Sequence, residues 1–358
     1  MPRDFTFDVF KQLLLALKEQ RYTFQTFAEF LKSPAERVVI LRHDVDARKL
    51  NSLQTARLEA EFGITGTYYF RMVPQSYDVE VILQIASMGH EIGYHYEDLA
   101  MAARAIKGQG TRDKRQGRQG HGKWGEGREG MRNESWEELL YDAAIKSFES
   151  NLGKLRQIVP IDTICMHGSP LSRYDNRKMW EKFNYRNYGI IGEPYFDVDF
   201  SQVMYLTDTG RRWDGDKVSI RDKVVTRDKG QGTRDKGQET SGMGSENGVE
   251  KGQELTAGDQ GSKLKDQQEV SKSTIPLWRA CPDSSGGQGE EDLIPQKQSF
   301  HSTFDIINAA KSGTLPAQLM INVHPQRWDN RMLPWIKELI GQRVKNGVKG
   351  VVLYFYKL

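Results

Sequence analysis

Residues 37–46, with the sequence Arg-Val-Val-Ile-Leu-Arg-His-Asp-Val-Asp, constrain the fold more than any other part of the chain. The stretch begins with a β-branched apolar run, which is typical of a strand buried on both faces in the parallel sheet of an α/β protein. It ends in His43, Asp44 and Asp46, which a buried strand does not tolerate. We therefore expect a strand at 37–43 with both acids at its exit, where parallel sheets and barrels place their ligands.

A structural role is the alternative for these two acids. Asp is a preferred N-cap residue, so Asp44 or Asp46 can cap the helix that is predicted to begin near Arg48. One cap uses one Asp, and the other Asp and His43 then have no structural role. The stretch therefore favours a functional site, and a metal site is the first hypothesis.

Two other stretches cannot build a core. Residues 107–130 and 226–299 hold 20 of the 34 glycines and are otherwise rich in Lys, Arg, Gln, Asp and Glu. They share the octapeptide Lys-Gly-Gln-Gly-Thr-Arg-Asp-Lys, which occurs at 107–114 and at 229–236. We predict that both are disordered, low-complexity insertions in a single domain of residues 1–358. The rest of the chain has the size of one α/β barrel.

Outside the insertions, predicted strands and helices alternate, which is typical of a parallel sheet. Predicted strands lie at 37–43, 64–70, 161–166, 318–323 and 350–356, with a short strand before His95 and strand-like pieces near 188–191 and 202–206. Predicted helices lie at 7–18, 27–31, 48–62, 77–88, 135–157, 176–182, 303–311 and 333–344.

Charge and cysteine content narrow the class of protein. The formal net charge is only +3 and no basic array stands out, so nucleic acid is not an expected partner. The two cysteines do not imply a disulfide framework, which fits a reducing compartment. The N-terminus lacks the apolar region of a signal peptide, and no run of about 18 apolar residues predicts a membrane span. We expect a cytoplasmic protein, and its oligomeric state does not follow from the sequence.

Histidines and acids follow the predicted strands. Four of the seven histidines, at 43, 95, 167 and 324, come directly after a strand. The carboxyl ends of parallel strands meet at one edge of the sheet, so we expect these residues near Asp44 and Asp46.

The segment Gly-His-Glu-Ile-Gly-Tyr-His, at 89–95, resembles the second motif of the polysaccharide deacetylase family, also called the NodB homology group or carbohydrate esterase family 4. The resemblance extends over the chain outside the insertions. It implies an α/β fold with an incomplete (β/α) barrel and a divalent metal, most often zinc. It also implies that the activity is the removal of acetyl groups from sugars.

The resemblance assigns roles to individual residues. Asp44-Val-Asp46 is similar to the first motif in its spaced form, with Asp44 as catalytic base and Asp46 as metal ligand. His95 falls on the first metal-binding histidine of the second motif. The segment 319–324 is similar to the fifth motif and makes His324 the general acid. His167 stands where the third motif has an arginine that orients the base.

The chain also departs from the family pattern. Leu99 replaces the second metal-binding histidine, so the third ligand has to come from elsewhere. His167 is the favoured candidate, because imidazole suits zinc and the position lies near the base. The alternatives are Glu97 and Asp98, and His43 is a possible auxiliary ligand. A clear fourth motif is absent, and the residues proposed for similar space are Asp208 and Trp213.

Tryptophans are the candidate substrate contacts. Trp213 and Trp328 can stack on the apolar face of a sugar ring, although packing in the core is an equally good interpretation. The expected function is a metal-dependent hydrolase that deacetylates an N-acetylated sugar in the biosynthesis of a cell-surface polysaccharide. The alternatives are a hydrolase of another small amide or cyclic ureide and a catalytically silent carbohydrate-binding barrel.

Overall fold

The described residues contain seven strands, which form one sheet with parallel pairing throughout. The computed structural model describes residues 3–116, 133–168, 174–213 and 299–356. In chain order the strands are β1 (Thr23–Gln25), β2 (Val38–Val45), β3 (Thr67–Phe70), β4 (Glu91–Tyr96), β5 (Ile164–Met166), β6 (Met204–Thr207) and β7 (Gln318–Val323).

The order across the sheet is β5-β4-β3-β2-β7-β6, and β1 pairs with the beginning of β2. The strand of the stretch 37–46 therefore lies in the middle of the sheet, with β3 on one edge and β7 on the other. The sheet curls into a half-barrel, which confirms the expected α/β fold and fits an incomplete barrel.

Helices follow the strands, as the alternating pattern predicted. Ser302 caps α9 through a capping box with Asp305. The helices of the described residues are α1 (Phe7–Glu19), α2 (Phe27–Lys32), α3 (Lys49–Glu61), α4 (Val79–Ser87), α5 (Asp98–Gln116), α6 (Asn133–Arg156), α7 (Met179–Lys182), α8 (Pro194–Asp197), α9 (Thr303–Lys311) and α10 (Met332–Tyr356). None of them is long and apolar enough to cross a membrane.

Two predicted strands are wrong. The segment 350–356 belongs to α10. Val344, Val348 and Val352 recur every four residues, a spacing that fits a helix as well as a strand, so the apolar pattern did not distinguish the two. The piece near 188–191 is not a strand. It follows the 3₁₀ helix Tyr185–Tyr188, and only a single bridge, between Thr163 and Gly192, joins this region to the sheet.

Other boundaries are shifted. The helix predicted from 135 begins at Asn133. Helix α5 continues to Gln116, into the first low-complexity stretch. The remainder of that stretch, 117–130, and residues 226–298 of the second lie outside the described residues. The chain divides into one unit of Met1–Arg227 with Gln298–Leu358 and a second unit, Asp228–Lys297, which also lies outside them.

The core has an inner and an outer part, because successive side chains of each strand point to opposite faces. Inside the half-barrel, Ile40 of β2 packs with Tyr69, Cys165 and Met320 of the neighbouring strands. On the outer face, Leu41 and its counterparts pack against the surrounding helices. The polar residues that end each strand on the inner face line the carboxyl edge of the half-barrel.

Candidate metal and catalytic site

Alternation along β2 decides which polar side chains share a face. Ile40 lies in the inner core cluster and Leu41 in an outer one. Arg42 and Asp44 therefore point inward with Ile40, whereas His43 points outward with Leu41.

The carboxylate of Asp44 lies within β2 and not beyond its end, which corrects the predicted strand boundary. Arg42 donates from Nε to Asp44 Oδ1 over 2.9 Å and from Nη2 to Oδ2 over 2.7 Å. Asn322 Nδ2 donates to the same Oδ2 over 3.0 Å. Burial raises the pKa of Asp44, but the charge and hydrogen bonds of Arg42, together with His95 and His324, outweigh it and hold this pKa well below its usual range. A buried strand tolerates this acid because both oxygens are paired.

Asp46 lies between two potential histidine ligands just beyond the end of β2. Asp46 Oδ1 lies 3.6 Å from His95 Nε2 and 3.4 Å from His167 Nε2. This oxygen is buried and has no hydrogen-bond partner, whereas Oδ2 accepts a hydrogen bond from Gln326 over 3.1 Å. The structure thus brings together the three residues that the sequence suggested as metal ligands.

Hydrogen bonds at the far nitrogens fix the orientation of both imidazoles. His95 Nδ1 donates to the carbonyl of Cys165 over 2.9 Å, and His167 Nδ1 donates to Glu97 Oε2 over 3.1 Å. In the neutral tautomers the lone pair is then on Nε2, which faces Asp46 Oδ1 in each case. Burial lowers the pKa of His95 to about 4, so this ring is neutral near pH 7. A cation relieves the repulsion between such lone pairs and an unpaired carboxylate oxygen.

Glu97, one of the alternative ligands, lies behind His167. Its Oε1 accepts hydrogen bonds from Arg71 Nε over 3.0 Å and Nη2 over 2.6 Å, and its Oε2 is taken by His167. Burial raises the pKa of Glu97, but the hydrogen bond from His167 and the charge of Arg71 together lower it to about 2. Both oxygens are occupied, so Glu97 orients a ligand.

A second group of ligand atoms overlaps the first at His95. One atom each of Asp44, His95 and Cys165 lies within 4.8 Å of the other two, so this buried group could hold a metal ion. The side chain of Cys165 is buried, and its Sγ donates to the carbonyl of Met166 over 3.7 Å.

His324 faces the same space from β7. Its Nε2 lies 4.0 Å from Asp44 Oδ2 and 4.0 Å from Asp46 Oδ2. On its other side, His324 Nδ1 donates to Asp208 Oδ1 over 2.6 Å, and Asp208 also accepts hydrogen bonds from Arg327 and from Trp328 Nε1. The carboxylate of Asp208 thereby fixes the orientation of the imidazole.

His43 does not belong to this site. It stacks on Tyr68 at a centroid distance of 4.0 Å, and its Nε2 lies 2.8 Å from Glu59 Oε1 of α3. This places it on the outer face of the sheet, so its prediction as an auxiliary ligand is wrong. The two-residue period of the strand is the signal that separates it from Asp44.

Asp98 and Leu99 also point away from the site. Asp98 accepts hydrogen bonds from Tyr94 over 2.7 Å, Ser147 over 2.6 Å and Asn151 over 2.9 Å, on the outer face of β4. It is therefore not a ligand. Leu99 is buried in the outer core, so position 99 supplies no ligand to the site.

Both tryptophans are core residues. Trp213 and Trp328 are 3% and 1% exposed, and both pack against Phe5. The indole nitrogen of Trp213 donates to Thr303, and that of Trp328 donates to Asp208. Their prediction as substrate contacts is wrong, and the packing interpretation is confirmed.

The capping interpretation of the two aspartates is wrong as well. The residue before α3 is Arg48, which has a left-handed backbone with φ 52°, and no side chain caps the helix. Asp44 and Asp46 instead face the inside of the half-barrel.

The sequence interpretation missed several residues of this site. Side chains two residues apart on a strand share a face, so Arg42 lies on the inner face with Asp44. On β3 the same rule places Arg71 on the inner face with Tyr69. Asn322, two residues before His324 on β7, follows the same rule. This two-residue alternation can be recognised in the sequence, whereas the pairing of Arg71 with Glu97 cannot.

Comparison of the chain with protein-family models, curated proteins and solved structures gave no match.

Proposed function

We propose that the chain is a metal-dependent hydrolase that removes the acetyl group from an N-acetylated sugar. The observation that supports a metal ion is the environment of Asp46 Oδ1. This buried carboxylate oxygen has no hydrogen bond and faces Nε2 of both His95 and His167. One carboxylate and two imidazoles form a typical catalytic zinc site, which keeps a fourth position open for water or substrate.

Asp46, His95 and His167 suit a divalent cation better than the group that contains Cys165. Asp44 already neutralises the guanidinium of Arg42 over 2.7 Å, and its oxygens accept three hydrogen bonds. A second cation there would be repelled by Arg42, whereas Asp46 offers an oxygen with no competing donor.

The proposed reaction is hydrolysis of the amide. A bound divalent ion polarises the carbonyl and lowers the pKa of water to about 7. Asp44 accepts the proton of the attacking water at Oδ2, which lies 3.9 Å from His95 Nε2. The ion pair with Arg42 keeps Asp44 ionised and makes it a weak base, so it suits only a water that is already acidified.

His324 completes the reaction at the leaving nitrogen. Its Nε2 faces the carboxylates of Asp44 and Asp46, and Asp208 accepts the hydrogen bond from Nδ1 and so orients the ring. Proton donation from Nε2 prevents departure of the amine as an anion, and such a transfer contributes about 10²- to 10⁴-fold.

The sugar substrate is supported by the resemblance of residues 89–95 to the deacetylase family. The same groups would also hydrolyse another small amide or a cyclic ureide. The test is metal analysis of the purified chain, followed by assays of acetate release from N-acetylated amino sugars and of ring opening of cyclic ureides. Acetate release that depends on the metal supports the proposal.

The control for this test is His301→Ala, which removes an exposed histidine outside the site. It should keep both metal and activity. A chain that holds no divalent ion under any supply contradicts the metal site and favours a silent carbohydrate-binding barrel. Metal-dependent ring opening without acetate release contradicts the substrate class alone.

A further inference from the structure

Helix α10 carries a row of exposed apolar side chains. Leu333 is 80% exposed, Ile336 38%, Ile340 58% and Val344 62%. At 100° per residue the four fall within an arc of about 80°, and the row is about 17 Å long. A continuous apolar row of this kind on the surface of a folded chain indicates an interaction site.

The opposite face of α10 is the one attached to the rest of the chain. Trp335 Nε1 donates to the carbonyl of Asp4 over 2.7 Å, and Asn346 Nδ2 donates to the carbonyl of Gly210 over 2.9 Å. Gln342, between them on the same face, is 8% exposed. The apolar row therefore points outward because of how the helix is held.

Basic side chains accompany the row. Lys337 and Arg343 are exposed, and at 100° per residue they lie about 60° from the centre of the row, one on each side. Glu338, the acidic residue in this part of α10, is on the attached side, where its carboxylate lies 3.9 Å from Arg48. The outward face of α10 is thus apolar along its centre and positive along its flanks.

The row continues into a groove at the carboxyl edge of the sheet. This groove has a volume of about 740 Å³, and its walls include Leu333 of α10 and Leu50 of α3, which is 68% exposed. The groove is also lined by Lys337 and by three cations that pair with carboxylates, namely Arg48 with Glu338, Lys49 with Asp78 and Arg331 with Asp329. Two elements of the fold therefore present exposed leucines among cations on one side of the molecule.

We propose that this face of α10 docks on an anionic membrane surface. An interfacial helix inserts its apolar side chains at the boundary of headgroups and acyl chains, and flanking Lys and Arg bind anionic lipids. A second copy of the chain fits less well, because packing two such faces together brings their cations together.

The test is co-sedimentation of the full chain with vesicles of phosphatidylcholine alone and with added phosphatidylglycerol. Binding is expected only with phosphatidylglycerol and should decrease as salt is raised. Ile340→Gln/Val344→Gln should abolish it. Lys337→Glu/Arg343→Glu should weaken binding to the anionic vesicles by about tenfold or more, because it replaces two positive charges that attract the lipid headgroups.

The matched control is Leu83→Gln/Leu139→Gln, which changes two exposed leucines on α4 and α6. This variant should bind vesicles like the parent. Equal binding by all variants, or the absence of binding to anionic vesicles at low salt, overturns the proposal. A dimer in solution that Ile340→Gln/Val344→Gln dissociates, without vesicle binding by the parent, assigns the face to a second copy instead.

Discussion

Arg42 donates two hydrogen bonds to Asp44, which lies two residues further along the same buried strand. The resemblance suggested from the sequence predicts a base-orienting residue at position 167, where this chain has a histidine. Here β2 supplies its own arginine, because residues two apart on a strand share a face. His167 is thereby free to face Asp46.

The first prediction concerns the proposed ligands. Asp46→Ala, His95→Ala and His167→Ala should each lose zinc, whereas Asp98→Asn should retain it, because Asp98 is on the outer face. Competition with a chromophoric chelator measures the affinity. Retention of full affinity by His167→Ala contradicts the proposed set.

Glu97→Gln tests the hydrogen bond that orients the proposed ligand His167. It keeps the shape of the side chain but removes the charge that His167 and Arg71 share. Removal of such a supporting hydrogen bond typically reduces metal affinity by about 10- to 100-fold. An affinity equal to that of the parent would mean that Glu97 does not orient His167.

Arg42→Met should destabilise the fold by about 3–5 kcal/mol, because it leaves the charge of Asp44 buried without a partner. The double variant Arg42→Met/Asp44→Asn should recover part of this loss, since no charge is left unpaired. Urea unfolding of both variants and of Asp44→Asn completes a double-mutant cycle. An additive result would show that the two residues are not coupled.

Asp208→Asn should lower turnover by about 10²- to 10⁴-fold without loss of metal, because Asp208 holds His324 at Nδ1. The readouts are kcat for acetate release and the zinc content. An unchanged kcat would leave Asp208 with a structural role only.

Glu193 makes stability depend on pH. Burial raises its pKa from 4.5 to about 7, although hydrogen bonds from Met166 and Tyr195 act in the opposite direction. The folded chain therefore binds a proton that the unfolded chain releases between about pH 4.5 and 7, so the free energy of unfolding falls as the pH rises through this range. Glu193→Gln should remove this dependence in denaturant titrations. A slope that persists in the variant assigns it to another group.

The sequence by itself determined the central strands and the polar residues that follow them. Hydrophobic periodicity placed β2 and β7 within two residues of their observed ends, since a strand buried on both faces has few alternatives. The polar residues after β2, β4, β5 and β7 marked the edge where the site lies. The alternation of side chains along β2 separates Asp44 from His43 and places Arg42 on the same face as Asp44, although the sequence interpretation did not use it.

Only the tertiary structure decided which of these side chains meet. The order β5-β4-β3-β2-β7-β6 brings His95 and His167 to one side of Asp46 and His324 to the other. Asp98 is excluded because it lies on the outer face of β4, where it accepts hydrogen bonds from Tyr94 and from two residues of α6. Trp328 is excluded because it packs against α1. These outcomes depend on contacts between residues far apart in the chain, which local periodicity and residue type do not encode.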